Sequence, residues 1–338
     1  MMSVVRKLGP GLAVILGVSL ILVFTDRNPV RVQQPLKRIA LFKFSSRQTL
    51  DDTERGYVDA LSSRGFVQGK TISLTFFNAQ NDLPTANTIA GEIVHGKYHM
   101  VLTASTPALQ VMAQANKKGT VVHVFGTVTD PYGAGVGLDR MHPEERPAHL
   151  SGAGTFQPVE KAFLIAREMN PRLSKVGVTW CRSESCSEAC VLIARKVCDS
   201  LGITLMESMV DNSSGVLEAS QALVVKGAEA LWIGGDNTVE IAADMVIKAA
   251  REGGIPVFTN NTDHPALGAL FGLGANYYQV GLQVGRIAAD ILEGADPVSF
   301  RVDNVVPEKL LINRQALNAA GNSWNLTEAL VARADSIL

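Results

Sequence analysis

The chain has 338 residues, of which 46% are apolar, 19% charged and 6% aromatic, with 30 glycines and a formal net charge of −1. That balance excludes a disordered or low-complexity chain. With no Lys/Arg cluster interleaved with aromatics, it also offers nucleic acid no surface. The length exceeds the roughly 250–300 residues at which a single core stops growing, so two lobes are expected.

The first residues, MMSVVRKLGPGLAVILGVSLILVFTDRN, place Arg6 and Lys7 ahead of an apolar run from Leu8 to Phe24, which reads as an export signal. The run lies between a signal-peptide core and a full span of ~20 residues, and no small-x-small cleavage pattern follows it. A lipid-anchored form needs a cysteine just after the run, and the first cysteine is Cys181. The expectation is an uncleaved N-terminal hydrophobic helix, with residues 26–35 as a polar tether. Positive charge ahead of the run keeps that end in the cytoplasm, so the remainder is exported to the periplasmic or extracytoplasmic face, tethered to the inner membrane.

From Arg38 onward short apolar runs alternate with amphipathic ones. RIALFKF, TISLTFF, HMVLTAS and TVVHVF read as strands, separated by helical spacing over Asp51–Ser63, Thr85–His95 and Ala108–Lys117. KVGVTW, ITLMES, ALWIGG and IPVFTN repeat the plan, with helices over Ser187–Leu201, Val216–Lys226 and Val239–Glu252. The pattern predicts an α/β fold of two doubly wound parallel-sheet lobes, with ligands collecting at the carboxyl ends of the strands. A Gly-rich strand, a helix and an extended segment after Asn261 continue it without opening a third domain.

The strand exits are polar. SSRQTLDDT and CRSESCSEA follow the first strand of each half, and TASTPALQ and GGDNTVEI follow the third. Each opens a helix, where free amides and the positive dipole end suit an anion or a polar head group. Hydroxyl and Asp/Asn caps are the simpler explanation of any one exit; four equivalent exits point to a shared cleft.

Neither a cofactor nor catalysis is expected. GFVQGKT has three residues between its glycines where a phosphate loop has four, and leads into a strand. GAGVG lacks dinucleotide spacing, Gly96 interrupts His95 and His99, and neither HExxH nor GxSxG occurs. No carboxylate pair is spaced for acid–base work.

All four cysteines lie between Trp180 and Cys198, as C-x4-C-x3-C-x7-C, which is not a paired C-x2-C zinc spacing. Ser185 and Glu188 have capping-box spacing, which starts a helix at Cys186. Cys190, Ala194, Val197, Cys198 and Leu201 then form a buried stripe. Eight helical residues put Cys190 and Cys198 ~12 Å apart, beyond the roughly 7 Å a disulfide spans. For Cys181, Cys186 and Cys190 three states stay open: plain thiols, a Cys181–Cys186 bridge pinning the loop CRSESC, or a thiolate metal site. No metal ligand is assigned.

TASTPALQ, VFGTVTDPYGAG, TFQPVEKA, GGDNTVEIA and GANYYQVG occur in this order from Lys37 to about Asn325. Together they resemble the tryptophan-binding type of ABC transporter substrate-binding proteins, which have the type I periplasmic-binding-protein fold. The resemblance implies an extracytoplasmic monomer that closes two lobes on a small amino-acid-like or carboxylate ligand and delivers it to an ABC permease. A membrane-anchored sensing module for a signalling partner is the alternative. The expected organisation is an anchor and tether at 1–35, a first lobe of 36–152 plus 263–303, a second of 153–262 plus 304–325, and a tail at 326–338.

Carried over by position, the resemblance places Ser105, Thr106 and Ser187 on a ligand carboxylate and Asp236 on an ammonium. Asn237, Thr129 and Asp130 stand second, though Asp130 before Pro131 also suits a turn. Phe156 stacks on a side chain or belongs to the core. The loop CRSESCS departs from the family's N-S-G-E-P-N-S, keeping Glu184 and Ser187, and Gly235 stands where a Thr is usual. Arg182, and Ser46 and Arg47 in the matching loop of the first lobe, bring new groups to the cleft; two arginines there favour a ligand with extra negative charge or another acceptor.

Overall fold

A computed structural model of the chain describes residues 36–338, together with Gly11 and a helical stretch at 14–21. The expected anchor and tether lie mostly outside the described residues; among those described, no helix is long and apolar enough to cross a membrane. The chain divides into units Met1–Leu36 and Lys37–Leu338, and the second carries both sheets.

The first sheet joins β1 (Lys37–Lys43), β2 (Ile72–Asn78), β3 (Met100–Ala104), β4 (Val122–Val128) and β5 (Leu150–Gly154), all parallel, in the order β2-β1-β3-β4-β5. The second repeats that order with β6 (Lys175–Cys181), β7 (Thr204–Val210), β8 (Ala230–Ile233), β9 (Val257–Thr259) and β10 (Phe271–Ala275), as β7-β6-β8-β9-β10. Beyond β10 it adds β11 (Glu308–Ile312), antiparallel to it, and β12 (Ser336–Ile337).

The continuous apolar runs arise because each sheet is covered on both faces. Ile39 and Leu41 pack with Leu50, Tyr57, Val280 and Val284, while the alternate Ala40 and Phe42 pack with Ala86, Ile89, Ala108 and Met112. In the second sheet Ala230 and Trp232 share a core with Phe163 and Val191, and Leu231 and Ile233 share one with Leu223 and Val246. The predicted stripe Cys190, Ala194, Val197 and Cys198 is buried in that second core.

The lobes exchange helices. After β5 the chain crosses at Thr155–Pro158, and helix Val159–Met169 packs in the core of the second sheet. After β10 it crosses back, and helix Tyr277–Leu292 packs on helix Gln48–Ser63 of the first. That contact is backbone to backbone: a Cβ at Gly281 would lie 2.3 Å from the Thr53 carbonyl oxygen, so only glycine permits it. The third crossing runs beside the first, with Gly154 N donating to Asp303 O (2.9 Å) and Val305 N to Gly154 O (2.7 Å).

Two expected boundaries are corrected. Residues 263–303 do not travel together, because β10 pairs with β9 and β11 in the second sheet, and only the following helix and the segment after it, through Phe300 and Val302, join the first lobe. The chain crosses where a strand ends and a helix begins, at Ala275–Asn276. Residues 326–338 are not a separate tail: Leu330 is fully buried, Asp335 accepts from Leu310 N (2.7 Å) and β12 pairs with β11, so the segment closes the second lobe.

Candidate functional site

In both sheets the carboxyl ends of the parallel strands face the space between the lobes. A small cavity lies there, lined from the first lobe by Arg47, Thr106, Thr127 and Thr129, from the crossings by Thr155, Gln157 and Tyr277, and from the second lobe by Cys186, Gly235, Asp236, Asn237 and Glu240. Its free volume is ≈ 20 Å³. The lobes are closed upon it.

Closure is visible in two cross-cleft contacts. Arg47, at the N-cap of helix Gln48–Ser63, forms an ion pair with Glu240 and donates to Asn237 Oδ1 at 2.6 Å. Gln110 Nε2 donates to Ser185 Oγ at 3.3 Å. The Arg47 and Glu240 side chains are only 17% and 3% exposed, so each depends on the other for compensation. Burial raises the Glu240 pKa and the Arg47 guanidinium opposes that rise. Arg47 Nε has no partner.

Asp236 is the N-cap of helix Asn237–Ile241. One carboxylate oxygen accepts from Val239 N (2.8 Å), the other from Cys181 N and Ser187 Oγ (both 2.6 Å). Burial, and after it the charge of Glu184, push its pKa up to about 7. Glu184 in turn holds the start of the same helix. It accepts from the amides of Asn237 and Thr238 (both 2.9 Å), from Asn237 Nδ2 and Thr238 Oγ1 (both 2.6 Å), and from Cys186 Sγ (3.3 Å).

On the opposite wall, helix Thr106–Ala115 starts at the cavity with Ser105 as N-cap, in the left-handed φ range at 104°. Ser105 Oγ accepts from Ala108 N, and the first amide of the helix has no intrahelical acceptor. Thr127 is also left-handed, φ 56°, and its hydroxyl pairs with that of Thr53 (2.7 Å). Thr155 Oγ1 is buried without a partner. Gln157 Nε2 donates to the Tyr277 hydroxyl (3.1 Å), linking the first two crossings at the cavity floor.

Of the residues expected in the site, Arg47, Thr106, Thr129, Asp236 and Asn237 line the cavity. Ser105 and Ser187 stand directly behind it, one capping the helix and the other holding Asp236. Ser46 is exposed and accepts from Asn78 Nδ2 (2.9 Å). Asp130 pairs with Arg140 (3.1 Å) and, with Phe156, lines a larger groove along the crossings that shares Thr129 and Gln157 with the cavity. Arg182 is exposed and makes no ion pair or hydrogen bond among the described residues. It turns outward because Glu184, drawn by the donors at the start of helix Asn237–Ile241, takes the inward position of that loop.

The expected Ser185–Glu188 capping box is not formed; the N-cap is Glu184, and no side chain caps the helix. The Cys181–Cys186 bridge is not formed either: all four cysteines are free and buried. Cys181 Sγ lies 3.1 Å from Ser183 Oγ, and Cys186 Sγ faces Glu184. Thr127, Thr155, Gln157, Glu240 and Tyr277 had not been expected. All five belong to stretches that carried the resemblance, VFGTVTDPYGAG, TFQPVEKA, GGDNTVEIA and GANYYQVG, so the motif was visible but not the side chain that turns inward.

The family described as ABC transporter substrate binding protein matches residues 38–338. A tyrosine-binding protein of Clostridioides difficile (strain R20291) is 27% identical over 296 residues, which is 87% of this chain and 84% of that protein. Among solved structures, a conserved domain protein of Vibrio cholerae is 29% identical with a TM-score of 0.84, covering 90% of this chain and 100% of that one. A ligand-free, open substrate-binding protein with adhesive properties from Clostridium difficile is 28% identical, with a TM-score of 0.67 and coverage of 90% and 99%. A domain from Streptococcus pneumoniae in complex with L-Trp shares the fold, with 20% identity, a TM-score of 0.83 and coverage of 90% and 100%.

Proposed function

We propose, for a chain that belongs to the ABC transporter substrate-binding protein family, that its two lobes close on an amino-acid-like ligand outside the cytoplasm and present it to an ABC permease. The observation that carries this reading is the enclosed polar cavity at the strand ends, where Arg47 of one lobe meets Glu240 and Asn237 of the other. Hydroxyls and a helix start on one wall suit a carboxylate, and buried carboxylates on the other suit an ammonium. The tyrosine-binding relative and the L-Trp complex support an amino acid as the ligand class. The lower score against the open, ligand-free relative accords with the closed arrangement.

A thermal-shift screen of amino acids and small carboxylates tests the reading. A ligand at 100 times its Kd stabilises by about 2.7 kcal/mol, which for a chain of this size raises Tm by about 4 °C. Asp236→Ala is expected to abolish the shift from any amine ligand, whereas Arg182→Ala leaves it intact. If no amino acid or carboxylate moves Tm, the proposal falls.

A further inference from the structure

The size and chemistry of the cavity bear on which amino acid it admits. Sites for drug-sized ligands run to roughly 300–1,000 Å³, against ≈ 20 Å³ here. Two long side chains take up the space. Arg47 reaches across from the first lobe to Glu240 and Asn237. Gln157 reaches in from the first crossing to Tyr277, and occupies room that exists because residue 235 has no side chain: a Cβ there would lie 2.5 Å from Gln157 Oε1.

What remains is polar on every side. Tyr277 supplies the one aromatic ring among the lining residues, and its hydroxyl is the hydrogen-bond partner of Gln157. An aromatic side chain brings some 150–250 Å² to bury and would have to leave buried hydroxyls and carboxylates unpaired to do so, at about 1–3 kcal/mol each. A head group meets no such obstacle. Thr155 Oγ1, 2% exposed and without a partner, lies on the same cavity as Thr106 at the start of a ten-residue helix, and together they suit a carboxylate. Asp236 and Glu240, 4% and 3% exposed, face a single cation, Arg47, among the lining residues. Two buried carboxylates against one guanidinium leave a charge that an ammonium neutralises.

We infer that the cleft is built for a small zwitterion, an amino acid with a side chain no larger than that of alanine or serine, and that Arg47 and Gln157 exclude tyrosine and tryptophan. This rests on the reading of the cleft as the ligand site. Two larger spaces adjoin the cavity, a chamber of ≈ 480 Å³ that shares Cys186 with it and includes Phe44, Leu83 and Val111 in its walls, and a groove of ≈ 770 Å³ that shares Thr129 and Gln157; an aromatic ring would have to lie in one of these instead.

Isothermal titration of the full chain in mild detergent with glycine, L-alanine, L-serine, L-tyrosine and L-tryptophan tests it. The small amino acids are expected to bind at least tenfold more tightly than the aromatic ones. The double variant Arg47→Ala, Glu240→Gln removes the cross-cleft pair as a unit, so that neither member is left as a buried charge without the other. It should raise the ratio of tryptophan to alanine affinity at least tenfold; if it does not fold, Gln157→Ala should move the ratio in the same direction. Tyrosine or tryptophan binding the wild type as tightly as alanine overturns the inference but not the proposed function, and so does an unchanged ratio in a folded variant. Absence of binding by all five overturns the inference, and the proposed function falls with it only where no amino acid or carboxylate moves Tm in the wider screen.

Discussion

Glu184 and Asp236 offer the sharpest test of the electrostatics behind the cavity. Asp236 is raised from its ordinary 3.8 to about 7, first by burial and then by the charge of Glu184. Because the folded value lies above the unfolded one, the native state holds a proton that the unfolded chain has released between about pH 4 and pH 7. Asp236 therefore contributes stability that is fully present below that window and lost as pH rises through it. At about 1.4 kcal/mol for each tenfold change in proton affinity, the upper bound is on the order of 4 kcal/mol. Glu184→Gln keeps an acceptor for the helix start and removes the charge. Discounted for the partial exposure of Glu184, about 1–2 kcal/mol of that loss should be recovered.

Buried His123 and His264, both lowered to about 3 by desolvation, act with the opposite sign over the same range. The absolute pH profile is consequently uninformative, and the difference between variant and wild type is the quantity to measure. Thermal unfolding at pH 5 and pH 8 should show Glu184→Gln gaining about 2–3 °C on the wild type at the higher pH. Whatever constant offset the lost charge-assisted hydrogen bonds impose, parallel pH profiles would refute the coupling between the two carboxyls.

Two further outcomes follow from packing. Gly126→Ala places a Cβ 2.4 Å from the Tyr57 hydroxyl and 3.1 Å from Val284, an overpacking that costs about 1–3 kcal/mol. Tyr57→Phe gives up that hydroxyl's bond to the Thr103 carbonyl (3.0 Å) at about 0.5–1.5 kcal/mol and opens the space, so the double variant should cost less than the sum of the two by about 1 kcal/mol; additivity in urea denaturation contradicts the contact. Burial pushes Cys190 and Cys198 up to about 12 and Cys186 well above its ordinary value. Ellman's reagent should therefore react slowly with the native protein and find four thiols after unreduced denaturation, whereas two would establish a bridge.

The order of elements and the two-lobe plan were legible in the sequence because a sheet covered on both faces needs unbroken apolar strands, and IALF or ALWI can serve few other purposes. Polar strand exits located the cleft for a similar reason: helix starts need caps wherever they fall. Both signals are local, and both survived folding. The crossings were not local. Nothing in FGLGA distinguishes a fifth strand of the second lobe from a strand of the first; pairing with β9 decides it, across residues distant in sequence.

The site divides along the same line. That Asp236 and Asn237 stand at a helix start is written in GGDNTV. That Glu184 turns in while Arg182 turns out depends on donors supplied by a helix fifty-odd residues later, and that Arg47 meets Glu240 depends on how the lobes close. Composition, periodicity and capping by themselves determined where the proposed site lies. Which side chains occupy that space, and how little of it they leave, only the tertiary structure decided, because burial and charge pairing are properties of neighbours brought together from both lobes.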